Sequence, residues 1–331
     1  MPDLPPSSLP TLAAIDLGSN SFRLEIARVA QNRYQRQLCV KEMVSLGAGL
    51  DSRGVLSREA MTRGLYCLQG FSSELALHDL AGVRVVATQT LREATNRDEF
   101  LHCAQTLLGM PVDVISGHEE ARLIYAGVAF MHPSQGRRLV VDIGGRSTEM
   151  IVGQGGAQRV TQSFPIGSAS VAHRFFPGGL MTEDAFRAAQ LAIGESVCQA
   201  LAPFAADHWD EALGASGTAG SLSSVLKATG VTDGTITQKG LRWLIKRCIA
   251  AGHVDKLDLP GLKPQRRNLL PGGLCILYTL TMHCGIRRML PAKGALRQGV
   301  IVDLLRQPKC NAHVVMAGAR LRNRVPKLAA A

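Results

Sequence analysis

The chain contains one unusual turn twice, as Asp16-Leu17-Gly18-Ser19-Asn20-Ser21 and as Asp142-Ile143-Gly144-Gly145-Arg146-Ser147. In both copies the register is Asp, aliphatic, Gly, two variable residues, Ser. Each copy follows a short apolar run, Leu12 to Ile15 and Leu139 to Val141, and precedes a second strand-like run, Phe22 to Val29 and Glu149 to Val152. A single turn of this composition is ordinary hairpin material. Two copies in matching register point instead to a duplicated fold with one loop from each half. A carboxylate at a strand end, followed by free backbone N–H groups and hydroxyls, is suited to holding phosphate beside a hard cation. The phosphate-binding candidates are therefore Gly18, Ser19, Asn20 and Ser21 in the first loop, and Gly144, Gly145, Arg146, Ser147 and Thr148 in the second.

Around these turns strands and helices alternate. A third strand is expected near Tyr34–Val44, a long amphipathic helix over Ser57–Leu77, and a strand at Val83–Ala87 leading into Thr90 and Glu93 at capping-box spacing. Val112–Ile115 reads as a strand, and Ser116 opens a helix to about Phe130. The second half repeats the plan, and Gly214-Ala215-Ser216-Gly217-Thr218 marks a third Gly/Ser turn at a strand-to-helix junction. Mixed strands and helices in two similar halves argue for an α/β architecture. At 331 residues the chain can carry two ordinary domains.

No run approaches the roughly 18 uninterrupted apolar residues of a membrane helix, and no basic, then apolar, secretory leader is visible at the N-terminus. Eight cysteines occur singly, with no C-x-x-C pair, which suits a reducing cytoplasm. The net charge of +11 is concentrated: residues 259–331 hold thirteen Lys or Arg and one acid, Asp303. Lys263, Arg266, Arg267, Arg287, Arg288, Lys293 and Arg297 stand among helical and strand-like material, whereas Arg306, Lys309, Arg320, Arg322, Arg324 and Lys327 lie in a segment without periodicity. Such a field attracts polyanions without choosing between nucleic acid, anionic lipid and phosphate polymer.

The chain resembles the exopolyphosphatase / guanosine pentaphosphate phosphohydrolase family of the actin-like superfamily, over roughly residues 12 to 305. The resemblance is carried by Ala14 through Arg23, Thr90-Leu91-Arg92-Glu93-Ala94, Ile115 through Arg122, Asp142 through Glu149, Gly214 through Thr218, and Ala295-Leu296-Arg297-Gln298-Gly299. It implies an α/β chain of two actin-like, ribonuclease H-like domains, residues 11–130 and 131–305, with the active site in an interdomain cleft. Residues 1–10 would be a flexible leader and residues 306–331 a basic, flexible tail.

The implied activity is Mg²⁺-dependent release of terminal phosphate from linear polyphosphate, or from the 5′ end of guanosine pentaphosphate. Glu120 would be the general base, with Asp142 and Glu149 in the metal and water network and Asp16 as a further metal candidate. Arg92, Gly217 and Thr218 join the phosphate-binding set, and Lys263, Arg266, Arg267 and Arg297 form a polyanion patch. Helix position separates the two acids of Ser116-Gly117-His118-Glu119-Glu120: Glu119 at N3 suits a capping box, which leaves Glu120 to point into a cleft.

Family members usually have a third glycine where this chain has Arg146. Either Arg146 bears left-handed strain, or its guanidinium grips phosphate directly. Gln298 replaces a common glutamate, and by the resemblance the helical C-terminal region of longer relatives is not expected here. A cationic track favours a polymer over a nucleotide, and the cluster of acids argues against a protein that merely binds polyanions. Guanosine pentaphosphate hydrolysis at the same site, a superfamily ATPase or kinase, and a non-catalytic polyanion binder stay open as alternatives. A homodimer is implied by the resemblance alone; nucleic acid is disfavoured as a partner, and no membrane is expected.

Overall fold

The computed structural model describes residues 9–30 and 33–306. Most of the expected leader, residues 1–8, and the expected tail from residue 307 onward lie outside the described residues. The chain divides into two compact units, one ending at Ile115 and taking in the segment that starts at Val300, the other spanning Ser116–Gly299.

The first unit holds strands β1 (Thr11–Leu17), β2 (Phe22–Ala30), β3 (Arg33–Glu42), β4 (Gly82–Ala87) and β5 (Val112–Val114) in the order β3-β2-β1-β4-β5. The first three pair antiparallel, and β4 and β5 continue the sheet parallel to β1. Helices α1 (Arg58–Leu75), α2 (Gln89–Glu93) and α3 (Arg97–Leu108) belong to it as well. Ser57 caps α1 by accepting the Ala60 N–H at 3.3 Å. A buried stripe at Ala60, Gly64, Cys67, Leu68, Phe71 and Leu75 then turns one face of α1 to the core. The cap of α2 is Thr88, so Thr90 is not a cap: it lies buried inside the helix with its hydroxyl unpartnered.

The second unit begins with α4 (Gly117–Met131) and continues through β6 (Arg137–Ile143), β7 (Thr148–Gln154), β8 (Ala157–Phe164), α5 (Ser168–Phe175) and α6 (Glu183–Val197). There follow β9 (Glu211–Ala215), α7 (Ser216–Ala228), β10 (Ile236–Thr237), α8 (Gln238–Ala251), α9 (Leu270–His283), β11 (Arg288–Pro291) and α10 (Leu296–Arg306), the last of which runs on past the unit's end at Gly299. Its sheet order is β10-β11-β9-β6-β7-β8. Stripped of the edge strand β10, this is the plan of the first sheet: β6, β7 and β8 antiparallel, then β9 and β11 parallel to β6.

The duplication reaches fine detail. The hairpins close at Leu17↔Phe22 and Ile143↔Thr148, and the partner ladders slip at equivalent places, between Ile26 and Ala27 and between Val152 and Gly153. Central strands β1 and β6 are buried on both faces, hence their unbroken apolar runs. Each unit packs its own core, around Ile15, Phe22, Leu24 and Phe100 in the first and around Leu139, Met150, Leu274 and Met289 in the second.

Seven described cysteines are free; Cys67, Cys248, Cys275 and Cys284 are buried, and burial raises the thiols of Cys67, Cys248 and Cys284 to about 12. They serve as small apolar residues. No described helix is long and apolar enough to cross a membrane.

Candidate active site

Three acids of the second unit are withdrawn from solvent: Glu120, Asp142 and Glu149, at 7%, 6% and 1% exposure. The hairpin of β6 and β7 sets Asp142 directly across from Glu149. Helix α4 supplies Glu120. Its cap, Ser116, accepts the Glu119 N–H at 3.2 Å, as the sequence predicts, while the Glu119 carboxylate is held by Arg122 at 2.7 and 2.8 Å. Glu119 thus has a structural partner, and the next residue carries the buried acid.

The start of α4 approaches β8 so closely that a Cβ on Gly117 would lie 2.6 Å from both Cβ and Oγ of Ser163. Ser163 in turn faces Glu149 in the β7–β8 ladder, and its hydroxyl donates to Glu149 Oε1 at 2.8 Å. Burial, then the neighbouring Glu120 and Asp142 carboxylates, push the Glu149 carboxyl well above the ordinary carboxylate range, and hydrogen bonds from Ser163 and Ser147 only partly oppose this. The result is a buried cluster of acids in which the Glu149 carboxyl is poised to hold a proton or to face a cation. His118 is exposed beside it and shares a 2.8 Å hydrogen bond with the Thr161 hydroxyl.

The turn between β6 and β7 is firmly held. Gly144 N–H donates to Ser147 O at 2.9 Å, Gly144 O accepts from Ser168 N and Oγ, both at 2.9 Å, and Gly145 O accepts from Ala169 N at 2.8 Å. The loop's hydroxyls are largely committed: Ser147 to Glu149, and Thr148 to the Ile166 carbonyl at 2.6 Å. Arg146 beside them is half-buried. Among the described non-glycine residues, positive φ occurs at Ser45 (50°) and Ser216 (64°), so Arg146 carries no left-handed strain.

The third Gly/Ser turn lies where the sequence places it, between β9 and α7. Ser216 and Thr218 both donate to Ile143 O, at 3.0 and 2.9 Å, which ties the start of α7 to the end of β6. With the Thr218 hydroxyl so engaged, Gly217 and Thr218 can meet an anion through backbone N–H groups of the first helical turn. The Arg266 guanidinium lies directly over Gly217, in the space a side chain would take.

The remaining candidates are scattered. Lys263, Arg266 and Arg267 share the 3₁₀ turn Pro264–Leu269 and its cap, but Arg297 is buried at the start of α10 and is not part of an exposed patch. Its neighbour Gln298 accepts the Ala295 N–H at 2.9 Å, a cap that a neutral side chain provides as well as a glutamate. In the first unit, Ser45 N donates to Asn20 O and Gly47 N to Ser19 O, at 2.9 and 2.8 Å, bracing the first loop. Arg92 is engaged by Gln89 Oε1, at 3.0 Å from Nε and 2.6 Å from Nη2, and by the Ile115 carbonyl at 2.8 Å. Asp16 stands across from Arg23, whose Nε donates to Ser21 at 3.3 Å.

Comparison with known proteins identifies the family and the fold. The profile of the Ppx/GppA phosphatase family matches residues 26–308. An exopolyphosphatase from Cytophaga hutchinsonii superposes with a TM-score of 0.80 at 24% identity, over 89% of this chain and 97% of that one. The Ppx/GppA enzyme of Aquifex aeolicus superposes with a TM-score of 0.73 at 24% identity, over 89% and 99%. These likenesses place both units in the actin-like α/β fold, and the match across most of the length makes the chain a member of the Ppx/GppA phosphatase family.

Proposed function

We propose that this chain is a Mg²⁺-dependent exopolyphosphatase, releasing terminal orthophosphate from linear polyphosphate by attack of water. One observation carries the reading: three buried carboxylates, two of which raise the third, lie in the same unit as a tight Gly-rich turn. Acids are a poor lining for a site that only binds polyanions, but they are what a hydrolytic site needs to take a proton and hold a cation.

Glu120 is the general base. It is buried in the first turn of α4, and it accepts the proton of the attacking water. Gly145 N–H, Arg146, Arg266 and the first N–H groups of α7 bind the terminal phosphoryl oxygens. Asp142 and Glu149 fit magnesium, which keeps several waters and needs only one or two carboxylates; a divalent ion would relieve the charge that raises the Glu149 carboxyl. When bound, the ion supplies positive charge against the transferred phosphoryl group. Ser163 and Ser147 orient the Glu149 carboxylate. Asp16 is the weaker metal candidate, because Arg23 stands opposite it.

The test is phosphate release with Mg²⁺ from long-chain polyphosphate and from guanosine pentaphosphate, side by side, by wild type and Glu120→Gln. Polymer hydrolysis that the substitution abolishes supports the reading. Preference for the nucleotide would reassign the substrate and keep the site, whereas no release from either would leave a polyanion-binding protein.

A further inference from the structure

The basic residues near the C-terminus are not the only cationic feature. Helix α8 carries Lys239, Arg242, Lys246 and Arg247 and no acid, and all four are exposed while Leu241, Leu244, Ile245 and Cys248 face the core. Lys239, Arg242 and Lys246 follow one another at helical spacing, a row about 10 Å long at 1.5 Å per residue. No ion pair among the described residues engages any of the three. At the start of α8, Thr237 is in register with Arg288 of β11, and Gln238 reaches the carbonyls of Thr281 and Ile286 at 3.0 and 3.4 Å. Exposed Arg287 and Arg288 therefore extend the row at that end.

The other end of the row leads toward the phosphate turns. Gln238 touches α9 at Thr281 and Arg242 touches it at Tyr278, so the two helices run antiparallel and the end of α8 lies toward the start of α9. There Gly273 packs against Thr218 and Gly272 against Ser168, at the turns that hold Gly217 and Gly144. Arg266 over Gly217 stands at that same end of the unit.

We infer that the exposed face of α8, extended by Arg287 and Arg288, is a second binding track for the distal part of a linear phosphate polymer. The inference rests on the exopolyphosphatase reading and adds to it a source of chain-length preference. A polymer is favoured over single-stranded nucleic acid because such binders use exposed aromatic platforms. The aromatics here are half-buried and engaged: Trp243 lies 5.9 Å under the Arg247 guanidinium, and the Tyr278 hydroxyl meets Arg242 at 3.4 Å.

The experiment measures binding and hydrolysis of long-chain polyphosphate and of tripolyphosphate, for wild type and Lys239→Gln/Arg242→Gln/Lys246→Gln. A salt series and an oligonucleotide competitor accompany it. The expected result is about tenfold weaker binding of the long chain, and a log–log salt slope shallower by about two for three lost contacts. Tripolyphosphate KM and kcat stay unchanged, and Lys239→Arg/Lys246→Arg behaves as wild type. An unchanged long-chain affinity, or an equal loss for both lengths, would overturn the track. Oligonucleotide binding tighter than polyphosphate of equal charge would reassign the face to nucleic acid. If wild type hydrolyses no polyphosphate, the exopolyphosphatase reading fails, but the binding arm still decides whether the face holds the polymer.

Discussion

The two hairpin turns share a backbone and differ in charge. Gly18 and Gly144 stand in the same tight relation to the carbonyls of Ser21 and Ser147, where an added Cβ would meet the oxygen at 3.0 and 3.2 Å. Across the ladder from the matching aspartates Asp16 and Asp142, however, the first unit places Arg23 and the second places Glu149. The first turn is balanced by its own strand; the second concentrates negative charge and adds Glu120 from a neighbouring helix. Duplication supplied two turns of one backbone, and the side chain across the hairpin, Arg23 or Glu149, sets their charge apart.

The largest effect expected from breaking this asymmetry is at Glu120. Glu120→Gln keeps size and hydrogen-bonding capacity but removes the base, and should lower kcat for phosphate release by about 10²–10⁴-fold. Glu119→Gln, one residue away, should cost no more than a few-fold, because its partner is the half-exposed Arg122. Equal losses in the two variants, measured with circular dichroism to confirm folding, would remove the distinction between cap and base.

The second contrast is between buried acids. Glu25 of the first unit is fully buried yet met by the Tyr34 hydroxyl at 2.7 Å and Arg36 at 3.1 Å. Glu149 is equally buried but surrounded by other acids. Because its carboxyl is raised in the folded state, the folded protein holds a proton that the unfolded chain releases above its ordinary value of about 4.3. Without metal, stability should therefore fall as pH rises above that value, toward the raised folded one. Glu149→Gln should flatten this slope and raise Tm at neutral pH by a few degrees, while lowering activity. Glu25→Gln should do the opposite to stability, losing about 2 kcal/mol of charge-assisted hydrogen bonding. Denaturant titrations between pH 4 and pH 8 without metal measure both; a stabilised Glu25→Gln or a steeper slope in Glu149→Gln would contradict the comparison.

The sequence exposes the turns, the strands that flank them and the Ser116 cap of α4, because each depends on neighbours within a few residues. Ser163 escapes it, since its place across from Glu149 depends on a ladder whose register slips between Val152 and Gly153. Arg266 over Gly217 and the burial of Arg297 depend on packing between segments far apart in the chain. The cationic face of α8 is hidden for another reason: residues 1–258 are nearly balanced in charge, and only folding sorts the bases of one helix onto one surface. Thr90 and Glu93 show the reverse error, a local spacing that fits a cap while the chain begins its helix at Thr88.

Ser163 also explains a third, smaller effect. Gly117→Ala would place a methyl 2.6 Å from Ser163, so either α4 or β8 must shift. Overpacking of this kind costs about 1–3 kcal/mol. The specific consequence is a loosened hydrogen bond to Glu149, visible as a shifted acid limb in the pH–rate profile. Gly18→Ala tests the first unit in parallel and should leave that limb in place.

The smallest effect concerns Arg146. If this residue occupied a left-handed conformation, Arg146→Gly would relieve strain and stabilise the protein. Its φ is not positive, so glycine brings only added freedom in the unfolded chain and a loss of up to about 1 kcal/mol. The functional change should exceed the structural one: with the guanidinium gone from the second turn, KM for polyphosphate rises several-fold and kcat moves less. Asn20→Gly, the corresponding position of the balanced turn, should leave KM within about twofold, since its carbonyl rather than its side chain braces the loop through Ser45 N. A stabilised Arg146→Gly with unaltered KM would mean that this arginine serves neither turn geometry nor phosphate. Charge at the second turn would then have to be supplied by Arg266 alone.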